Sequence, residues 1–106
     1  MAFKKIDADL NALYQSLGDL RSATPVNHSE YDSIKRLHRD ASDMAEGAVG
    51  KSIDDADANY AIFSDEMKNA LAMIEEAKSD IEKIVKVISI ATKVINEAGK
   101  LIAKYV

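Results

Sequence analysis

The sequence predicts an all-α protein, and three observations carry that prediction. From Ile53 to Tyr105, apolar or small residues recur at alternating gaps of three and four: Ile53, Ala56, Tyr60, Phe63, Met67, Ala70, Ile74, Ala77, Ile81, Ile84, Ile88, Ala91, Ile95, Ala98, Ile102 and Tyr105. This is a seven-residue repeat, the period of one helix lying along another. The same stepping appears at Phe3, Ile6, Leu10, Leu13, Leu17 and Leu20. Breakers are scarce, with 4 Gly and 1 Pro, while 47% hydrophobic and 30% charged residues is a balance that can close a core. At 106 residues the chain is expected to form a single helical domain, 1–106, and is too short for two independent cores.

Helix one is predicted over about 3–22 from its narrow leucine stripe. It ends near Ala23-Thr24-Pro25, because Pro disfavours helical geometry in the residue before it and has no N–H to donate. Helix two is expected over about 28–49, capped by Asn27 or Ser29 with Glu30 or Asp32 completing a capping box. Its seam is Ile34, Leu37, Ala41, Met44 and Ala48, and Gly47 and Gly50 bracket its end. Ser52 followed by Asp55 reads as the start of helix three, over 53–105.

Two arrangements follow. In the favoured one, helix three is a continuous rod of about 80 Å. Helices one and two lie against it as a long antiparallel hairpin, which dimerises into a four-helix bundle. In the alternative, helix three breaks near Ser79, where Ser79-Asp80-Ile81-Glu82 also has capping-box form, and the chain closes into a compact monomeric four-helix bundle. Continuity is favoured because no Gly or Pro interrupts and the repeat keeps phase through Ala77, Ile81 and Ile84.

The back half of helix three becomes apolar beyond its seam, through Val85, Val87, Ile90, Val94, Leu101 and Val106. A helix apolar over most of its circumference must meet more than one neighbour. Ile84, Val87, Ile88, Ile90, Val94, Ile95, Leu101 and Ile102 are therefore the expected association surface. Replacing Val87 and Val94 by Asp is expected to break an assembly while sparing some helicity. The function this implies is a non-enzymatic interaction and assembly protein, a homo-oligomer with a dimer favoured, which also binds a protein partner through its C-terminal helix.

Charge supplies the competing reading. Residues 1–82 hold 17 acidic and 9 basic side chains, whereas 83–106 hold Glu97 alone against Lys83, Lys86, Lys93, Lys100 and Lys104. A basic, amphipathic segment over 81–106 suits an anionic membrane surface, with Lys86, Lys93, Lys100 and Lys104 as contacts to lipid or to an acidic partner. The most apolar window, 84–95, carries Lys86 and Lys93 and is too short to span a bilayer. Lysine without arginine, and with no ring before Tyr105, argues against nucleic-acid binding.

Chemistry-bearing patterns are weak. Asp55, Asp57, Asn59 and Glu66 fall at the first, third, fifth and twelfth positions of a calcium loop, but Tyr60 stands where the sharp turn requires Gly. A solvated acidic helix start accounts for them better. His28 and His38 have no second His or Glu at metal spacing on the same helix face, and His28 with Asp32 is the one close pairing, so both read as lone surface histidines. With no Cys, no Gly-rich phosphate loop and no nucleophile elbow, neither an enzyme nor a cofactor is expected. Absence of Cys and of an apolar leader points to a cytoplasmic setting, with non-classical export as the other route open to it.

Overall fold

Four leucines and Ile6 fix the first helix. In the computed structural model, which describes residues 3–105, α1 runs Asp7–Ala23 and buries Leu10, Leu13, Leu17 and Leu20 completely. Ile6 is buried just ahead of it, but Phe3 is 62% exposed and lies in a two-residue strand, β1 (Phe3–Lys4). Helix one therefore starts later than its apolar spacing predicts. Thr24 ends it, buried, with its hydroxyl donating to the Leu20 carbonyl at 2.7 Å, and Pro25 follows.

The second helix, α2 (Tyr31–Ala48), has no side-chain cap of the expected kind. Instead His28 Nδ1 accepts the Glu30 N–H at 3.0 Å, which satisfies a backbone donor at the helix entry. Below Ile34 and Leu37 its buried face is small, with Ala41, Ala45 and Ala48 set against the leucines of α1. Large residues on one helix and alanines on the other fill the gap between two antiparallel axes. Gly50, at φ 80°, turns the chain out of α2 in the left-handed region that a side chain disfavours.

Residues 53–54 are not helical. They form β2 (Ile53–Asp54), antiparallel to β1, with Phe3 opposite Asp54 and Lys4 opposite Ile53. The third helix, α3 (Ala58–Ser79), begins five residues later than its repeat suggests, capped by Asp57, whose carboxylate accepts the Asn59 N–H at 2.8 Å.

The continuous rod is corrected. Asp80 is extended, at φ −140° and ψ 91°, and a single 3₁₀ turn, Ile81–Lys83, leads into α4 (Ile84–Lys104). The Asp80 carboxylate accepts the Glu82 N–H at 3.3 Å, so the capping signal at Ser79-Asp80 outweighs the continuity of the apolar repeat. The result is the alternative arrangement, four helices packed on one another around one core.

Two antiparallel hairpins, α1–α2 and α3–α4, stack face to face. Helix α1 lies beside α3 and α2 beside α4, each of these pairs running parallel: Ser33 and Asp40 of α2 share a groove with Ile88 and Asn96 of α4, and Gly47 lies against Ile102 lower down. The α2–α3 connection, 49–57, must cross the lower end of the bundle diagonally to give this order. That end also carries the β1–β2 pair and the end of α4, while the upper end carries residues 24–30 and the turn at Asp80.

Candidate interaction surface

The break at Asp80 resets the helical phase, which decides where each expected association residue lies. The core line of α4 is Ile84, Val87, Ala91, Val94, Ala98 and Leu101, all buried to 1% exposure or less. Ile88 and Ile102, taken from the sequence as seam residues, are half-buried and turned toward α2, and Ile95, at 8%, sits between the two lines. Ile90 is half-buried and Val85 is 60% exposed; Val106 lies outside the described residues. Ile84, Val87, Val94, Ile95 and Leu101 are thus not a free association surface. They hold the single chain together, and the Val87 and Val94 test changes meaning accordingly.

An open groove of about 220 Å³ lies between the upper halves of α2 and α4. Leu37, Ile88 and Ile95 supply its apolar lining, and Ser33, Arg36, Asp40, Thr92 and Asn96 its polar one. Toward the lower end the same two helices close on each other: a Cβ on Gly99 would lie 3.8 Å from Met44 Cε, and one on Gly47 3.8 Å from Ile102 Cδ1.

Two of the four lysines of the expected basic face, Lys100 and Lys104, are paired within the chain. Lys104 donates to both carboxylate oxygens of Asp57, at 3.1 and 2.9 Å, and to Asn59 Oδ1 at 3.0 Å. Tyr105 donates its hydroxyl to Asp57 Oδ2 at 2.9 Å. Asn59 in turn donates to Glu97 at 3.1 Å, and Lys100 donates to the other Glu97 oxygen at 3.0 Å. These contacts close the end of α4 onto the start of α3. The Lys104 hydrogen bond, aided by the Asn59 N–H, holds the Asp57 carboxyl below its ordinary value, and Lys100 and Asn59 do the same for Glu97. Lys86 and Lys93 point to solvent. Among the described residues no helix is long and apolar enough to cross a membrane.

The calcium pattern is not assembled. Asp57 is a helix cap clasped by Lys104, Asn59 lies in the first turn of α3, and Glu66 lies two turns further along that helix. Among the described residues no three His, Asp or Glu side chains converge at metal-binding distance.

Sequence reasoning missed a ring cluster on the α1–α2 face. His38 is half-buried, stacked on Tyr14 with ring centroids 4.4 Å apart and planes 9° from parallel. Its Nε2 lies over Gly18, where a Cβ would come within 3.0 Å. Burial, with the Arg21 charge adding to it, lowers the His38 pKa. Arg21 also donates to the Tyr31 hydroxyl at 3.2 Å. The signal was available in the spacing of Tyr14 and Gly18 on one helix face, but only the α1–α2 pairing identifies the partner ring.

No family model matches this chain, and neither a curated protein nor a solved structure shows significant similarity to it.

Proposed function

We propose that this chain is a non-enzymatic assembly protein that associates with itself and with a protein partner through its C-terminal helix. One observation carries the reading. Beside its buried core line and Ile95, helix α4 carries Ile88 and Ile102 half-buried on the side toward α2, and the upper part of that side is left as the lining of an open groove. An apolar stripe bordered by Arg36, Asp40 and Asn96 has the makeup of a surface that receives another helix. The polar clusters support the same reading. The Asp57, Lys104 and Glu97 contacts fasten helix ends, and every fully buried side-chain nitrogen or oxygen among the described residues has a partner. Absence of cysteine suits a reducing, cytoplasmic setting.

Sedimentation equilibrium from micromolar to millimolar concentration tests the self-association. The mass is expected to rise from 11.6 kDa toward twice that value, whereas a mass fixed at 11.6 kDa throughout removes the proposal.

A further inference from the structure

The face that α2 and α4 turn away from the rest of the bundle is self-complementary. Along α4, the side that borders the groove reads Val85, Ser89, Thr92, Asn96, Gly99 and Ala103, all exposed but for the half-buried Gly99 and none of them charged. Lys86, Lys93 and Lys100 each follow one position after Val85, Thr92 and Gly99, and so lie about 100° further around the helix. Charge ordinarily collects on the solvent side of a helix, yet here that side is neutral and Val85 is 60% exposed on it.

Charge on this face belongs to α2, where Arg36 and Asp40 border the same groove one turn apart. Among the described residues neither has an ion-pair partner or a side-chain hydrogen bond. They are placed symmetrically about position 38. On α4, Val85 and Gly99 are placed symmetrically about Thr92, the large exposed side chain on one side and the missing one on the other. Two contacts set the relative level of these parallel helices: Gly99 lies beside Met44, and Ile102 beside Gly47. By the same offset, position 38 is level with position 93, one residue or about 1.5 Å from Thr92.

We infer that two copies of this chain pack these faces together about a two-fold axis that crosses α4 at Thr92 and α2 at the level of His38. Each helix then lies antiparallel on its own counterpart. Arg36 meets the partner's Asp40, and Asp40 meets the partner's Arg36. Val85 lies over the partner's Gly99, where no Cβ stands in the way, and Thr92 meets the partner's Thr92. The two grooves join into one space between four helices, lined by Leu37, Ile88 and Ile95 of both copies. With the two copies parallel instead, α2 would lie on the partner's α4, and Arg36 and Asp40 would face its uncharged side. This contact rests on the self-association proposed above and gives it a surface and a register.

A thiol on the axis tests the register, because the chain has no cysteine of its own. A residue on a two-fold axis faces its own copy, and between helix axes about 8–10 Å apart the two Cα atoms come within disulfide range. Under mild oxidation Thr92→Cys is expected to become a covalent dimer at concentrations where Lys86→Cys, also exposed but on another side of α4, stays monomeric. Charge reversal tests the α2 pairing. Arg36→Asp and Asp40→Arg each set like charges against one another at two places across the axis, and each is expected to lower the association constant about tenfold. Both reversals in one chain restore opposite charges, and are expected to return the constant to about the wild-type value. Neither residue is in the core, so circular dichroism is expected to show wild-type helicity in all three variants.

An association constant unchanged by either single reversal overturns the two-fold contact and leaves self-association by another surface standing. Equal cross-linking of Thr92→Cys and Lys86→Cys does the same. A wild-type mass fixed at 11.6 kDa, together with no preferred cross-link at Thr92→Cys, overturns both proposals.

Discussion

Lys104 Nζ sits 2.9 Å from Asp57 Oδ2, joining the last turn of α4 to the residue that caps α3. The two are 47 positions apart in sequence, and the contact closes the lower end of the bundle.

This clasp has a pH signature. The folded-state pKa of Asp57 lies below its ordinary 3.8 and that of Glu97 below its ordinary 4.5, each through hydrogen bonds to the ionised form. A depressed carboxyl contributes stability that is present above the unfolded value and is lost as pH falls through the folded one. Asp9 runs the opposite way, raised by burial and by Asp7, and offsets part of the loss. Thermal unfolding is expected to show a falling melting temperature below about pH 4.5, and Asp57→Asn is expected to lower the melting temperature by several degrees at pH 7 and to flatten the acid limb. An unchanged acid limb in Asp57→Asn would remove the clasp from the stability balance.

Two glycines on helices should respond differently to Ala. At Gly99 a Cβ would sit 3.8 Å from Met44 Cε, an ordinary contact, so only helix propensity is left and Gly99→Ala is expected to stabilise by about 0.5–1 kcal/mol. At Gly18 a Cβ would lie 3.0 Å from His38 Nε2, so Gly18→Ala is expected to push the ring a few tenths of an ångström out of its place against Tyr14, which offsets the gain in helix propensity. In a His38→Ala background the obstacle is gone, and the same Gly18→Ala change is expected to stabilise by about 1 kcal/mol. Chemical denaturation of the four chains measures the cycle. Additive effects would mean that His38 does not occupy the space over Gly18.

His38 titration gives a second check on that face. With its folded pKa below 6.5, the histidine contributes stability that is complete above 6.5 and is lost as pH falls through the folded value. NMR titration should place the His38 pKa below 6.5 in the wild type and move it up toward 6.5 in Gly18→Ala. No difference between the two would contradict the packed position of the ring.

Charge placed on the two lines of α4 should separate folding from surface effects. Val94 is wholly buried, and an unpaired Asp there costs several kcal/mol, a large part of the roughly 5–15 kcal/mol that holds a domain of this size. Val94→Asp is expected to lose helicity at 25 °C, whereas Ile88→Asp, on the groove, keeps a folded chain. Equal loss by circular dichroism would put Ile88 in the core and erase the groove.

The anionic-membrane reading has a direct test. With Lys100 and Lys104 engaged by Glu97 and Asp57 and the main apolar line of α4 buried, flotation with phosphatidylserine vesicles at physiological salt is expected to leave the protein unbound. Co-flotation would favour the lipid surface over the protein partner.

Most of the helical content was legible in the sequence because the leucines of α1 and the alternating gaps of α3 have one period each, and the buried residues Leu10 to Leu20 and Phe63 to Ala77 are the ones that period selects. The break at Asp80 was legible only as a capping box competing with an unbroken repeat. The repeat could not decide between them, since α4 is apolar at 87, 94 and 101 as well as at 88, 95 and 102 and so reads in phase either way. Phe3 and Ile53 misled for a different reason. Each is apolar at helical spacing, but they lie in β1 and β2, whose pairing across the lower end joins residues about fifty positions apart that local periodicity cannot see. The groove on α2 and α4 was likewise hidden, because it depends on which helices become neighbours.

The closed bundle itself stands or falls on whether α4 lies beside α2. In dilute solution, a nuclear Overhauser contact between the Met44 ε-methyl group and the Gly99 α-protons tests this directly, since a Cβ on Gly99 would sit 3.8 Å from that methyl carbon. The expected result is a clear cross-peak together with non-helical chemical shifts at Asp80. A missing cross-peak with helical shifts running unbroken through residues 78–84 would mean that α3 and α4 are one rod, and would contradict the fold described above.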